Sequence, residues 1–95
     1  MMPTFEQGDT IQFTWESLVA PDAAPNFSVT EPFSKTVLQT GTALASGSLA
    51  FYGLFTMPQS LGVYLYEFAA NKTISGSVYP FVDRGTFRVE KTRLP

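Results

Sequence analysis

The stretch Leu61-Gly62-Val63-Tyr64-Leu65-Tyr66-Glu67-Phe68-Ala69-Ala70 decides how the chain is read. Its β-branched and aromatic residues favour a pleated strand over a helix. Tyr64, Tyr66 and Phe68 fall on one face of that strand, and Val63, Leu65 and Ala69 on the other, where only Glu67 interrupts them. A strand that is apolar on both faces belongs in the middle of a sheet and asks for cover on each side.

Just upstream, Leu49 to Met57 reads as another strand, with Phe51, Phe55 and Met57 on one parity. Gly53 sits among them and marks a close approach of backbone to core, before Pro58-Gln59-Ser60 turns the chain. Downstream, Asn71-Lys72-Thr73 is the expected hairpin tip. The return from Ile74 to Val89 carries Pro80 and Asp83-Arg84-Gly85, which predict a kink or bulge. Phe87 and Val89 resume an inward alternation.

Toward the N-terminus, Ile11, Phe13 and Trp15 alternate with Thr10, Gln12, Thr14 and Glu16, the pattern of a strand with one buried and one wet face. That parity makes Trp15 a core residue rather than a stacking platform, alongside Phe13, Phe55 and Tyr64. Thr4 to Gln7 makes a short edge strand ahead of a Gly8-Asp9 turn, and Ala20 to Pro25 is a proline-bounded loop. Asn26 to Glu31 is a strand with Phe27 and Val29 inward, Lys35 to Thr40 a polar edge strand, and Gly41 to Ser48 a small-residue mobile loop. Strands at this spacing with no helical period predict an all-β fold: a sandwich of about seven antiparallel strands in two sheets, in a single domain over residues 1–95. A small barrel is the alternative.

The sequence holds 95 residues, with neither cysteine nor histidine. Disulfides, thiolate metal sites, thiol nucleophiles and every imidazole-dependent triad are thereby excluded. A formal net charge of −2 gives no reason to expect nucleic acid. No apolar run approaches the roughly 20 residues of a membrane helix, and Met1-Met2-Pro3-Thr4-Phe5-Glu6 has no signal-peptide pattern, so synthesis in a cytoplasm is expected. The sequons at Asn26 and Asn71 are then coincidental. The carboxylates are scattered without calcium-loop spacing or an evident catalytic pair. No catalytic residue, metal ligand or cofactor site is expected, and the chain is read as non-enzymatic.

Gly62-Val63-Tyr64-Leu65-Tyr66 resembles the approach to the sixth strand of immunoglobulin-like domains, with Tyr64 at the tyrosine-corner position. Tyr66 stands where antibody domains carry cysteine, and Trp15 departs from the antibody pattern. A closer resemblance is to the cysteine-free immunoglobulin-like or macroglobulin-like domains of tailed-bacteriophage structural proteins. It is carried by Gly8 to Trp15, by Leu54-Phe55-Thr56-Met57-Pro58 running into Gly62-Val63-Tyr64, and by Gly76 to Tyr79 leading into Gly85-Thr86-Phe87-Arg88-Val89. The resemblance implies a virion component, a capsid decoration (cement) or head–tail accessory protein, and transfers no catalytic residue.

Contact with a major capsid or other virion protein, or with further copies of the chain on the particle, is expected through two sets of residues. Val63 and Leu65 lie on the strand face that the core does not use, while Arg84, Arg88, Lys91 and Arg93 concentrate positive charge toward the C-terminus as a basic edge. Cover for the outer face could instead come locally, from Ser75 to Val82 folding back over it. A free-standing carbohydrate-binding module, a monomer with exposed aromatics in a groove, is the competing reading.

Overall fold

The computed structural model describes residues 2–91, and these form eight strands and no helix. β1 (Thr4–Glu6), β2 (Thr10–Glu16), β3 (Asn26–Thr30), β4 (Val37–Thr42), β5 (Leu44–Ala45), β6 (Ala50–Thr56), β7 (Gly62–Ile74) and β8 (Ser77–Glu90) divide into two sheets. One is five-stranded in the order β1-β8-β7-β3-β4, and the other three-stranded in the order β2-β6-β5. All pairings are antiparallel except β1 with β8, which run parallel. β7, which contains Gly62 to Ala70, is the middle of the larger sheet.

The core lies between the sheets and follows the parities seen in the sequence. Phe13, Phe51, Phe55 and Met57 face Phe27, Val29, Tyr64, Phe68, Phe87 and Val89, all buried. Aromatic rings bridge the layers: Phe13 lies 4.8 Å from Tyr66 and 5.1 Å from Phe87, centroid to centroid. Within the larger sheet, Phe27 and Phe68 are 4.9 Å apart. Offset and edge contacts of this kind add to what burial alone contributes. Trp15 is only half-buried. It packs against Phe51, Phe68 and Phe81, so the residue expected in the core is a partly buried one that covers the buried cluster.

Gly53 earns its place through that packing, because a Cβ there would stand 2.3 Å from the ring of Phe27. The ring of Tyr66 covers Gly85 in the same way on the neighbouring strand, leaving no room for a side chain. Tyr64 is fixed at both ends: its ring stacks on Phe87 at 5.6 Å and its hydroxyl donates to the Ser60 carbonyl at 2.6 Å. Among the described residues no buried side-chain polar atom lacks a partner.

Three expectations about the loops are overturned. Gly41 to Ser48 is not one mobile loop: β4 runs to Thr42, Ala43 is buried, and β5 pairs with β6 before the chain turns. The tip of the long hairpin is Ser75-Gly76, not Asn71 to Thr73. Both tip residues have positive φ, 52° and 83°, as a two-residue turn matched to strand twist requires. Nor does a bulge interrupt the return strand at Pro80 or at Asp83-Arg84-Gly85, since β7 and β8 stay in unbroken register from Gly62↔Val89 to Ile74↔Ser77.

The reason is parity. The Arg88 N–H donates to the Pro3 carbonyl at 2.9 Å and the Glu90 carbonyl accepts from the Gln7 N–H at 3.0 Å, so even-numbered residues of β8 turn their backbone groups away from β7. Pro80 is one of these. Its missing N–H would have pointed off the sheet, and its ladder partner Asn71 sends its own carbonyl the other way, to the Asp22 N–H. The irregularity that does occur lies between β3 and β4, where the register shifts at Val29/Thr30 beside the sheet edge.

β3 accompanies β7 only as far as Ala69, so beyond it the β7–β8 pair continues as a two-stranded arm, and the molecule measures 56 × 28 × 24 Å. Free two-stranded ribbons are marginal in water. This one is clasped by the loop before β3, where the Thr73 hydroxyl donates to the Asp22 carboxylate at 2.6 Å. That contact with Thr73, aided by its backbone and by Lys72, holds the Asp22 carboxyl below its usual range against slight desolvation. A depressed carboxylate stabilises the fold above the ordinary value of about 3.9 and loses that contribution as pH falls through the lowered one. Amide exchange at Thr73, corrected for its intrinsic pH dependence, should therefore accelerate on acidification below about 3.9. Asp22→Asn should exchange faster at neutral pH and show no such step. An unchanged variant would mean that the clasp contributes nothing.

Candidate functional site

Because Tyr64, Tyr66 and Phe68 point into the core, Val63, Leu65, Glu67 and Ala69 point out of the five-stranded sheet. Ladder register then sets their neighbours. On the β8 side Val63 is opposite Arg88, Leu65 opposite Thr86, Glu67 opposite Arg84 and Ala69 opposite Val82. On the β3 side Leu65 faces Thr30, Glu67 faces Ser28 and Ala69 faces Asn26. At Leu65 the apolar stripe is thus one strand wide and walled by Thr86 and Thr30, while at Ala69 it widens onto Val82; Val63, Leu65 and Ala69 are half-buried. It is less bare than the sequence suggested.

The structure brings Val63, Leu65, Arg84 and Arg88 onto one face, where the sequence placed the arginines on a separate edge. Arg84 is engaged through its Nε with the Glu67 carboxylate across the ladder. Such exposed pairs are worth about 0–1 kcal/mol and mainly set geometry. Arg88 and Lys91 are exposed, and Arg93 lies outside the described residues. The segment Ser75 to Val82 does not fold back as cover. It extends the hairpin, so Val78, Pro80 and Val82 carry the same side of the ribbon onward along the arm, all three exposed.

A second feature went unnoticed in the sequence. Where β3 ends, the turn Glu31-Pro32-Phe33-Ser34 stands beside Ser60-Leu61-Gly62 at the start of β7, and the two enclose a groove of about 360 Å³ floored by Val63 and Tyr64. Phe33 is 94% exposed. The signal was its position: an aromatic between Pro32 and Ser34 belongs to no strand and shares no parity with the core.

Burial raises the pKa of both Tyr64 and Tyr66, with Glu31 adding to the effect for Tyr64 and Asp83 for Tyr66. Both phenols stay neutral in ordinary buffers, so Tyr64 keeps its bond to Ser60. Among the described residues no group of three or more carboxylates is placed to hold a metal ion, and no helix is long and apolar enough to cross a membrane. The described surface carries an apolar stripe with Arg84 and Arg88 beside it, and a groove at the start of β7. No family model, curated protein or solved structure matches the chain.

Proposed function

We propose that the chain is a non-enzymatic immunoglobulin-like module that docks on a protein assembly through the outer face of its five-stranded sheet. The immunoglobulin-like part is supported by the sheet order, β8-β7-β3-β4 over β2-β6-β5 with the first strand laid parallel to the last. It is supported too by the Tyr64 hydroxyl, which reaches four residues back to the Ser60 carbonyl as a tyrosine corner does. The observation that carries docking is the convergence of Val63, Leu65 and Arg88 on one outward surface that Val82, Pro80 and Val78 prolong. An apolar strip flanked by cationic side chains suits a protein surface with apolar ground and acidic rim. The resemblance to phage structural domains makes that partner a capsid or neck protein, with copies of the chain arrayed on the particle.

The test is sedimentation of the purified chain, alone and with virions that lack it. The parent should pellet with particles. Leu65→Asp should melt within a few degrees of the parent yet lose attachment, because a carboxylate buried unpaired at an interface costs several kcal/mol. Thr86→Asp, at the exposed cross-strand neighbour, should do the same with no packing to lose. Attachment should also weaken with added salt if Arg88 and Lys91 contribute. A monomer of 10.4 kDa that ignores particles and binds a polysaccharide would overturn the reading in favour of a carbohydrate-binding module.

A further inference from the structure

The groove at the end of the sandwich is built, not incidental. Its outer wall is a turn pinned by its own hydrogen bonds. The Lys35 N–H donates to the Glu31 carbonyl at 2.7 Å, the Glu31 N–H to the Thr36 carbonyl at 2.9 Å, and the Ser34 hydroxyl to Glu31 Oε2 at 2.6 Å. Lys35 adopts φ 59° to close it. Its floor is equally fixed, since the Tyr64 hydroxyl is held by Ser60. Phe33 is therefore presented to solvent by a rigid turn, and Leu61, 57% exposed, faces it from the opposite wall. Two exposed apolar side chains thus border a space of about 360 Å³, one on each of its two walls, on a backbone whose turn is already fixed.

The lining is apolar except for Ser34, Ser60, Glu31 and the Tyr64 hydroxyl, which is held by Ser60, and Glu31 is the one charge among the residues that form it. Only its Oε2 is taken, by Ser34; Lys35, on the same turn, does not line the space. A carboxylate and an exposed aromatic ring that line the same groove favour a cation, which can gain from the charge and from the ring. We propose that this groove anchors an extended segment of a partner protein, seating an apolar side chain between Phe33 and Leu61 and the adjoining Lys or Arg on Glu31. The site shares Val63 with the outer sheet face but does not depend on docking there.

The probe is a pair of blocked dipeptides, acetyl-Leu-Arg-amide and acetyl-Leu-Glu-amide, titrated into the isotope-labelled chain and followed by amide chemical shifts. Leu-Arg should move the amides of Phe33, Ser34, Leu61 and Val63 and bind about fivefold more tightly than Leu-Glu, the preference an ion pair near the surface supplies. Glu31→Gln should erase the preference while leaving apolar binding. Phe33→Ala should abolish both, with a melting temperature unchanged because the ring packs on nothing. Absence of shifts at these amides up to millimolar peptide, or equal affinity for the two peptides, overturns the proposal. So does a peptide-independent dimer that Phe33→Ala dissolves, which would give the groove to a second copy. The parent's attachment to particles is read separately with Leu65→Asp, so failure here leaves the sheet-face reading standing.

Discussion

Phe87→Ala should lower the stability of the fold by about 3–5 kcal/mol, the cost of emptying a fully enclosed phenylalanine site. Phe87 is 0% exposed and is ringed by Phe5, Phe13, Phe55, Tyr64 and Tyr66 at centroid distances from 5.1 to 6.4 Å. Those neighbours come from β1, β2, β6 and β7, four separate strands, so no single element can move in to fill the space. Domains of this size hold roughly 5–15 kcal/mol in all. The variant should melt at least about 12 °C below the parent in a calorimeter, at about 4–8 °C per kcal/mol. Thr86→Ala, one residue away on the opposite face, should stay within about 0.5 kcal/mol. If the two variants melted alike, the inward parity of β8 would be wrong.

Gly53→Ala tests the opposite failure, a core with no room. The added methyl would meet three ring atoms of Phe27 at 2.3–2.7 Å, and Phe27 is itself buried against Phe13 and Phe68. Overpacking of this kind costs about 1–3 kcal/mol, and the enclosure of Phe27 puts the expected value at the upper end. Phe27→Leu in the Gly53→Ala background should recover part of the loss. The two changes should therefore couple by at least about 0.5 kcal/mol in a double-mutant cycle of denaturant unfolding. Strict additivity would mean that the methyl finds another way out.

Much of the fold could be read because strand parity is local. Ile11 and Phe13, Phe27 and Val29, Phe51 to Met57, and Phe87 and Val89 each declare their inward face within a few residues, and the edge positions of the Thr4 and Lys35 segments follow from their length and polarity. The hairpin tip lies at Ser75-Gly76, where composition alone does not put it. Asn71 and Lys72 look like turn residues, but tight-hairpin geometry is decided by which pair tolerates positive φ, and Ser75-Gly76 does so. Pro80 misled because proline breaks a strand only where its nitrogen faces a partner, a fact of register rather than composition. The gathering of Val63, Leu65, Arg84 and Arg88 was hidden in the same way: each residue was visible, but the ladder that seats Arg88 beside Val63 spans 25 positions of sequence. Phe33 escaped because periodicity says nothing about a side chain outside every strand.

The parallel seam between β1 and β8 joins the first strand of the fold to the last. A chain emerging from a ribosome thus produces Phe5 and Phe13 long before it produces Phe87, the ring on which both of them rest. Until β8 is out, β1 has nothing to lie against and β7 lacks one of its two flanking strands. A chain stopped before β8 would leave the aromatic side chains that Phe87 covers without that cover, the kind of exposed apolar surface that invites aggregation. Closure joins partners at opposite ends of the fold, so it is slow by topology. Loss of β8 would remove Phe87 and Val89 from the core and both strand partners' pairing with it, so the remaining strands should not hold the fold.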